Sequence, residues 1–349
     1  MAQALELQPF DDRTQRFLDS IKKESTRDIY RSGLTVFQSF YKDRGTVDDF
    51  INRIATDLSL PLGKRQHVAT TTLSAFIDYM KLQLKQSKKV LDNTSVKGQP
   101  LSAMTINTYV GAIRSLVSDA FENEYRIPCK KIGLPSPEPV SSKTPWELET
   151  ISQFFKPMKP MYQALGGSLF QSGQGLNEIL CLNYSDILVE FESNTRPLML
   201  TMQRKKTGIK YVTFLGDSAL DLLSNYFKTE GKPKPNERIF PIEKETVERY
   251  FSRRCIKMLQ PKKIKRKEQV SVDTSLKPWG KGNCPMRPHS LRAGFEKLLV
   301  KGKCPQVYAE YWMGHSVSRL HDAYIISGMS TEEWRKEYKK YEPFLSFEV

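Results

Sequence analysis

The sequence predicts a mainly α-helical protein (α+β) that contains a small β-sheet and has two domains, and three observations support this. Apolar residues recur with helical spacing through residues 1–130. A stretch rich in proline and serine follows at 133–145. Beyond it, helical patterns are mixed with two short strand patterns. We therefore expect a helical domain at 1–132, a linker at 133–145, and a mixed domain with a C-terminal tail at 146–349.

The first domain is predicted to be a bundle of about four helices. One helix pattern opens at Ser25, a suitable N-cap, and another opens with Thr46 and Asp49 at the spacing of a capping box. The predicted helices cover 25–41, 46–54, 67–84 and 101–121. The linker that follows holds four prolines and three serines in 13 residues, which disfavours any regular element.

The second domain alternates helices with one predicted β-hairpin. Its two strands are joined by a turn with Gly208 near the tip. Pro288 suits the first turn of one helix, and Gly314 suits the position just after the end of another. The predicted helices cover 160–171, 176–182, 218–227, 246–259, 286–300 and 305–313, and the strands cover 197–202 and 210–215.

The composition indicates a folded protein rather than a disordered or membrane protein. Hydrophobic residues make up 39% and charged residues 27%, which is ordinary for a globular chain. No stretch approaches the roughly 18 apolar residues of a membrane span, and the first residues lack the basic and apolar regions of a secretory signal. Five scattered cysteines, an odd number, indicate free thiols in a reducing compartment, so we expect a cytoplasmic protein.

The charge favours a polyanionic partner. Lysines and arginines number 54 against 39 acidic residues, which gives a net charge of +15. Residues 253–303 alone hold 15 basic and three acidic residues. The run PKKIKRK at 261–267 is by itself compatible with a nuclear-localisation patch or a loop, but the rest of this surplus surrounds two histidine-containing motifs.

His289 and Arg292 form the first of these motifs. Three residues apart on a helix, they lie on one face near its N-terminal turn, where free N–H groups favour an anion. Such donors suit a phosphate. The alternative is a structural pair, in which the arginine caps a nearby carbonyl and the histidine is buried.

The second motif joins Gly314 and His315, followed nine residues later by Tyr324. Glycine lets the chain reverse after a helix, and the next imidazole then protrudes from the turn. Most tyrosines pack, and a phenol acts as a nucleophile only when nearby cations or a base activate it. The chain has four histidines, and two of them occupy these motifs in this order.

These residues resemble the tyrosine recombinases, the phage-integrase-like family. HSLR (289–292), GHS (314–316) and Tyr324 match the family's carboxy-terminal signature, and RKKTG (204–208) resembles its hairpin lysine, with Lys206 the best match and Lys205 the alternative. The segment 170–187 and the amino-terminal bundle also resemble the family, so the likeness covers nearly the whole chain. The closing residues are similar to archaeal and archaeal-virus members.

The resemblance implies a core-binding domain followed by a catalytic domain, and a definite chemistry. Tyr324 would attack a DNA phosphodiester and form a 3′-phosphotyrosyl link, Arg292 would clamp the phosphate, and Lys206 would protonate the departing 5′-oxygen. His289 and His315 would donate hydrogen bonds and assist proton transfer. Neither a metal nor another cofactor is implied. The partners would be double-stranded DNA and three further copies in a tetramer on DNA, in the cytoplasm at the nucleoid, or in the nucleus of a eukaryote. The expected DNA-contacting residues are Arg204, Lys205, Lys262, Lys263, Lys265, Arg266, Lys267 and Arg287.

One position departs from the family pattern, because Gly175 stands where the first catalytic arginine belongs. Gln174 beside it cannot replace a charge. The sequence leaves open whether Arg204 or Lys205 replaces the arginine, or whether the chain is a catalytically impaired DNA-binding relative. A type IB topoisomerase is a third alternative with the same tyrosine chemistry. The segment 331–349 is either a partner-docking helix or packed on its own domain.

Overall fold

The structure is a computed structural model that describes residues 9–86, 101–136, 147–204, 208, 210–259, 286–315 and 328–349. The chain divides into two compact units, Met1–Ser141 and Ser142–Val349, and each unit has its own apolar core. The predicted fold class, mainly helical with a small β-sheet, is confirmed. None of the helices that the structure describes is both long and apolar enough to cross a membrane.

The first unit is a helical bundle, as predicted, with one helix more than the sequence indicated. Its core is rich in aromatic rings, and Phe37 at its centre contacts Tyr41, Phe50 and Phe76. Within the described residues its helices are α1 (Asp12–Ser20), α2 (Glu24–Tyr41), α3 (Val47–Ser59), α4 (Val68–Gln86) and α5 (Ala103–Ala120).

Two predicted helix starts in this unit had different outcomes. The capping box at α3 is confirmed: the Thr46 hydroxyl accepts from the Asp49 N–H at 3.1 Å, and the Asp49 carboxylate accepts from the Thr46 N–H at 2.7 Å. The prediction that Ser25 caps α2 is wrong. Lys23 occupies the N-cap without a side-chain hydrogen bond, so Ser25 lies inside the first turn.

The second unit holds the remaining elements around one large core. The part of it that the structure describes contains α6 (Leu148–Phe155), α7 (Pro160–Ser172), α8 (Leu176–Leu180), α9 (Leu188–Glu192), β1 (Leu198–Gln203), β2 (Lys210–Leu215), α10 (Asp217–Glu230), α11 (Lys244–Leu259), α12 (Pro288–Lys301), α13 (Gln306–Trp312) and α14 (Thr331–Tyr341).

Helix α7 runs through the middle of this core. Every residue from Tyr162 to Ser172 is buried, which explains why the segment shows little helical amphipathicity. Small residues permit the close packing: a Cβ on Gly166 would lie 2.6 Å from the ring of Phe155. Helix α12 packs against α7, and α13 packs against β2. These contacts, with that of α12 on α13, bring α7, α12, α13 and the hairpin to one place.

The predicted hairpin is present as an antiparallel pair. Its register runs from Leu198 opposite Leu215 to Gln203 opposite Lys210. Gly208 has a φ of +72°, a value that favours glycine, which agrees with its predicted place in the turn. Arg204 therefore directly follows the last paired residue of β1.

The segment 331–349 packs on its own unit, which is one of the two roles that the sequence left open. Trp334 and Tyr338 are buried, and the Tyr338 hydroxyl donates to the carbonyl of Gln171 at 2.8 Å. The ring of Phe347 is also buried, against two phenylalanines of the core. This segment therefore completes the core of the second unit.

Candidate active site

Arg292 joins the ends of two helices. Its Nη1 donates to the carbonyl of Gly173, just after α7, at 2.9 Å. Its Nη2 donates to the carbonyl of Met313, just after α13, at 2.7 Å, and lies 2.7 Å from Nε2 of His315. Carbonyls at helix C-termini have no partner within their own helix, so a guanidinium is well suited to bind them. The side chain is thus held in one orientation by groups distant in sequence.

The charge of Arg292 is partly removed from water. Burial lowers the pKa of its guanidinium from the ordinary value, and the nearby charge of Arg204 lowers it further. An arginine whose pKa is lowered from this value still carries its proton at neutral pH. Two positive charges thus lie close together in a site with restricted access to solvent, which favours an anion.

Arg204 reaches the same place from the hairpin. Its Nη1 donates to the carbonyl of Gly314 at 2.7 Å, so the two arginines hold the carbonyls of consecutive residues, Met313 and Gly314. Of the two cations that the sequence offered as replacements for the missing arginine, Arg204 is the one that the structure describes. Lys205 lies outside the described residues.

His315 is held by a carboxylate. Its Nδ1 lies 2.6 Å from Oε2 of Glu310, and its backbone N–H donates to the Glu310 carbonyl at 2.9 Å. The imidazole is about one-third exposed, so its edge remains accessible. The imidazole therefore contacts a carboxylate at one nitrogen and the guanidinium of Arg292 at the other.

Gly314 has a steric reason to be glycine. Its φ of +67° lies in the left-handed region, where other residues are strained. A Cβ at this position would also lie 2.5 Å from the ring of Tyr211. The prediction that Gly314 follows the end of a helix is therefore confirmed, and the reversal presents His315 to Arg292.

The space beside Gly175, where the sequence comparison led us to expect an arginine, is taken up by the side chain of Glu178. Gly175 directly precedes α8 with an ordinary φ of −75°, and a Cβ there would lie 2.4 Å from Oε2 of Glu178. The neighbouring Gln174 is fully buried, and its Nε2 donates to the carbonyls of Ser172 at 3.0 Å and Trp312 at 2.7 Å. Gln174 therefore belongs to the interior of the unit.

The hydroxyl of Tyr211 completes this interior network by donating to Oε1 of Gln174. Burial, followed by the negative charge of Glu178, raises the pKa of Tyr211 to about 12. The phenol accordingly stays protonated and remains a donor at every ordinary pH. No sequence pattern indicates this bond, because its two residues are remote and follow no periodic spacing.

The remaining predicted site residues fall into two groups. His289 is exposed in the first turn of α12, three residues before Arg292, and Arg287 is the exposed N-cap of that helix. Tyr324 and Lys206 lie outside the described residues, and so does the basic run of Lys262, Lys263, Lys265, Arg266 and Lys267. Among the residues that are described, no three histidine, cysteine, aspartate or glutamate side chains form a group that could hold a metal ion.

Two DNA-bound recombinases of known structure are similar to this chain. Lambda integrase (75–356), solved as a dimer bound to a COC′ core site, is 16% identical, with a TM-score of 0.52 over 90% of this chain and 92% of that one. The XerH site-specific recombinase, bound to palindromic difH substrate in a post-cleavage complex, is 15% identical, with a TM-score of 0.50 over 90% and 80%. By sequence, the chain matches no protein-family model and no curated protein. The chain therefore has the fold of the tyrosine recombinases.

Proposed function

We propose that this protein is a site-specific DNA recombinase of the integrase type, which cleaves and rejoins double-stranded DNA through a 3′-phosphotyrosyl intermediate. One observation carries the proposal. Arg292 and His315 come from two motifs that the sequence separates, and their side chains lie 2.7 Å apart in a tyrosine-recombinase fold. A purely structural pair of Arg292 and His315 would not need Arg204 beside it. The positive charge of Arg204 disfavours the charged form of Arg292 unless an anion binds there.

The chemistry assigned to these groups is an in-line exchange at phosphorus. The oxygen of Tyr324 forms the new P–O bond as the bond to the 5′-oxygen breaks, and Lys206 gives that oxygen a proton. Arg292 holds the non-bridging oxygens, and His289 and His315 add hydrogen bonds at the phosphate. A phosphate oxygen is a stronger acceptor than the carbonyls that Arg292 now contacts, so it competes well for the guanidinium.

In this proposal Arg204 supplies the second guanidinium that Gly175 cannot. Two arginines on one phosphate would neutralise both non-bridging oxygens as charge develops on them. The short contact of Arg204 with the carbonyl of Gly314 supports this role, since that carbonyl adjoins the one that Arg292 holds.

The other expected roles extend the same proposal. The helical first unit would act as the core-binding domain, and Arg287, Lys205 and the basic run at 262–267 would contact the DNA backbone. Exchange of strands requires two DNA sites, and a homotetramer on DNA would supply four nucleophiles. A protein with this activity would work at the nucleoid, or in the nucleus of a eukaryote.

A nicked suicide substrate tests the activity directly. Cleavage of such DNA releases a short fragment and traps the phosphotyrosine, so a protein–DNA adduct that survives denaturation is the expected product. Tyr324→Phe must abolish the adduct while leaving DNA binding intact. Tight binding of wild-type protein to the same DNA with no adduct would overturn the assignment as an enzyme.

That outcome would favour the second candidate, a DNA-binding relative without catalysis. The arrangement at Gly175 supports this candidate, because the Glu178 carboxylate lies where a side chain would begin and places a negative charge beside the site. A gel-shift assay run with the cleavage assay would then detect binding alone.

A further inference from the structure

We propose that Glu310 is a positioning residue that holds the His315 imidazole in one tautomer and stabilises its charged form during DNA cleavage. The inference rests on the proposed function for its catalytic consequence. The structural part, that Glu310 holds the imidazole in one tautomer, concerns the protein without DNA and depends on the contacts of Glu310, His315 and Arg292.

The backbone at the end of α13 brings the two side chains together. The His315 N–H donates to the Glu310 carbonyl at 2.9 Å, and the Gly314 N–H donates to the Tyr311 carbonyl at 2.8 Å. This pair of bonds around a left-handed glycine is the Schellman motif. The motif folds the second residue after the C-cap back beside the last turn, where a hydrophobic contact is usual. Here the Glu310 carboxylate contacts the His315 imidazole instead.

The contacts of the ring determine which nitrogen carries the proton. An arginine has N–H donors and no acceptor, so His315 Nε2, at 2.7 Å from Arg292 Nη2, must accept. The proton of the neutral ring is therefore on Nδ1, which donates to Glu310 Oε2 at 2.6 Å. Glu310 and Arg292 thus select the same tautomer from opposite edges of the ring.

This arrangement has a consequence when a phosphate displaces the contact between Arg292 and His315. Nε2 is then free to accept, and in the proposed mechanism it takes the proton that the Tyr324 hydroxyl gives up as its oxygen bonds to phosphorus. The imidazolium formed in this way would have Glu310 as its counter-ion and would donate to a phosphate oxygen. Glu310 acts only through His315 and does not touch the DNA.

Two substitutions separate the parts of this role. Glu310→Gln keeps an oxygen that can accept from Nδ1–H but loses the charge that stabilises the imidazolium. Glu310→Ala loses both. Glu248→Ala is the matched control, because it removes an exposed glutamate from α11, where its partner is a lysine at 3.8 Å.

Long-range ¹H–¹⁵N correlation spectra of the full-length protein, labelled at histidine, report the tautomer without DNA. His315 is assigned by its loss in His315→Asn. We expect the neutral ring to be in the Nδ1–H form in the wild type, in Glu310→Gln and in Glu248→Ala. In Glu310→Ala only Arg292 still favours that form, so the population of the Nε2–H form should rise. An Nε2–H ring in the wild type, or a spectrum unchanged in Glu310→Ala, would overturn the inference.

Adduct formation on the suicide substrate measures the catalytic part. A positioned acid–base group typically contributes about 10²–10⁴-fold, so Glu310→Ala should slow the adduct at least about tenfold. Glu310→Gln should fall between this variant and the wild type, and Glu248→Ala should match the wild type. Equal rates for wild type and Glu310→Ala would refute the catalytic role. If the wild type forms no adduct but the tautomer responds as expected, the proposed function fails while the positioning of His315 stands.

Discussion

Burial lowers the pKa of Arg292, and the positive charge of Arg204 lowers it further, so the hairpin and α12 place two guanidiniums in one site. The two side chains also donate to the carbonyls of adjacent residues. Such an arrangement is unfavourable until an anion binds between or beside them.

Arg204→Ala should reduce the rate of adduct formation by about 10²-fold, because one preorganised donor to a developing oxyanion is worth about 2.7–4 kcal/mol. Arg204→Lys should recover only part of the rate, since an ammonium cannot bind two oxygens side by side. Lys228→Ala, which removes an exposed cation from the last turn of α10, is the control. A rate for Arg204→Ala within twofold of the wild type would show that another group replaces the missing arginine.

Gly175→Arg should raise the cleavage rate, and most clearly in the Arg204→Ala background. The φ of −75° suits any residue, and the atom in the way is the terminal oxygen of Glu178, which can swing aside. Gly175→Ala controls for the displaced carboxylate without adding charge. Single-turnover rates of both variants decide the matter. If arginine and alanine behave alike here, the position does not face the phosphate.

Tyr211→Phe should destabilise the second unit by about 1–3 kcal/mol, the usual cost of a buried acceptor that loses its donor. The hydroxyl removed is the one that donates to the fully buried Gln174. Tyr226→Phe is the comparison within the same unit, because its hydroxyl makes a longer bond of 3.3 Å to the Ile239 carbonyl. Urea unfolding followed by probes in this unit should rank Tyr211→Phe as the more damaging change.

Glu342 should make stability depend on pH in a specific direction. Burial raises the pKa of its carboxyl above the ordinary value of 4.5, and this outweighs the hydrogen bond from the Asp217 N–H, which lowers it. Between pH 4.5 and the raised value, the folded protein binds this proton and the unfolded chain does not, so stability falls as pH rises. Thermal melts should show that Glu342→Gln, which cannot ionise, loses this decline. An identical pH dependence in both proteins would contradict the assignment.

DNA affinity should fall steeply with salt, since each phosphate contact releases counterions and contributes a slope of about −0.9 in log affinity against log salt. Alanine at 262, 263 and 265–267 should make that slope shallower by up to about 4.5 units if all five cations contact phosphates. Fluorescence anisotropy with a labelled duplex measures both slopes. A slope that the substitutions leave unchanged would remove this run from the DNA interface.

Local chemistry made much of the fold predictable. The capping box at Thr46 and the reversal at Gly314 depend on a few neighbouring residues, and both are present. Helix α1 was missed although Asp11 caps it, because the segment is short and offers few apolar positions. The error at Ser25 has a different cause, since the N-cap is Lys23, which makes no side-chain hydrogen bond there and so gives no capping signal in the sequence.

For the candidate active site, only the sequence motifs could be predicted. The spacing of His289, Arg292 and His315 is visible in the sequence. The bond from Arg204 to the Gly314 carbonyl is not, because it joins remote segments through a backbone group that every residue possesses. Glu310 was missed for another reason. Its relation to His315 depends on the geometry of a helix end, and no periodic pattern indicates a polar pair there.

The geometry of the helix end fixes the interval of five residues between Glu310 and His315. One inserted or deleted residue would break the bonds around Gly314 and turn the acid about 100° away from the ring, even if both side chains survived. An acidic residue five positions before the histidine of a Gly-His pair is therefore a sequence pattern that predicts a carboxylate–imidazole contact at a helix end.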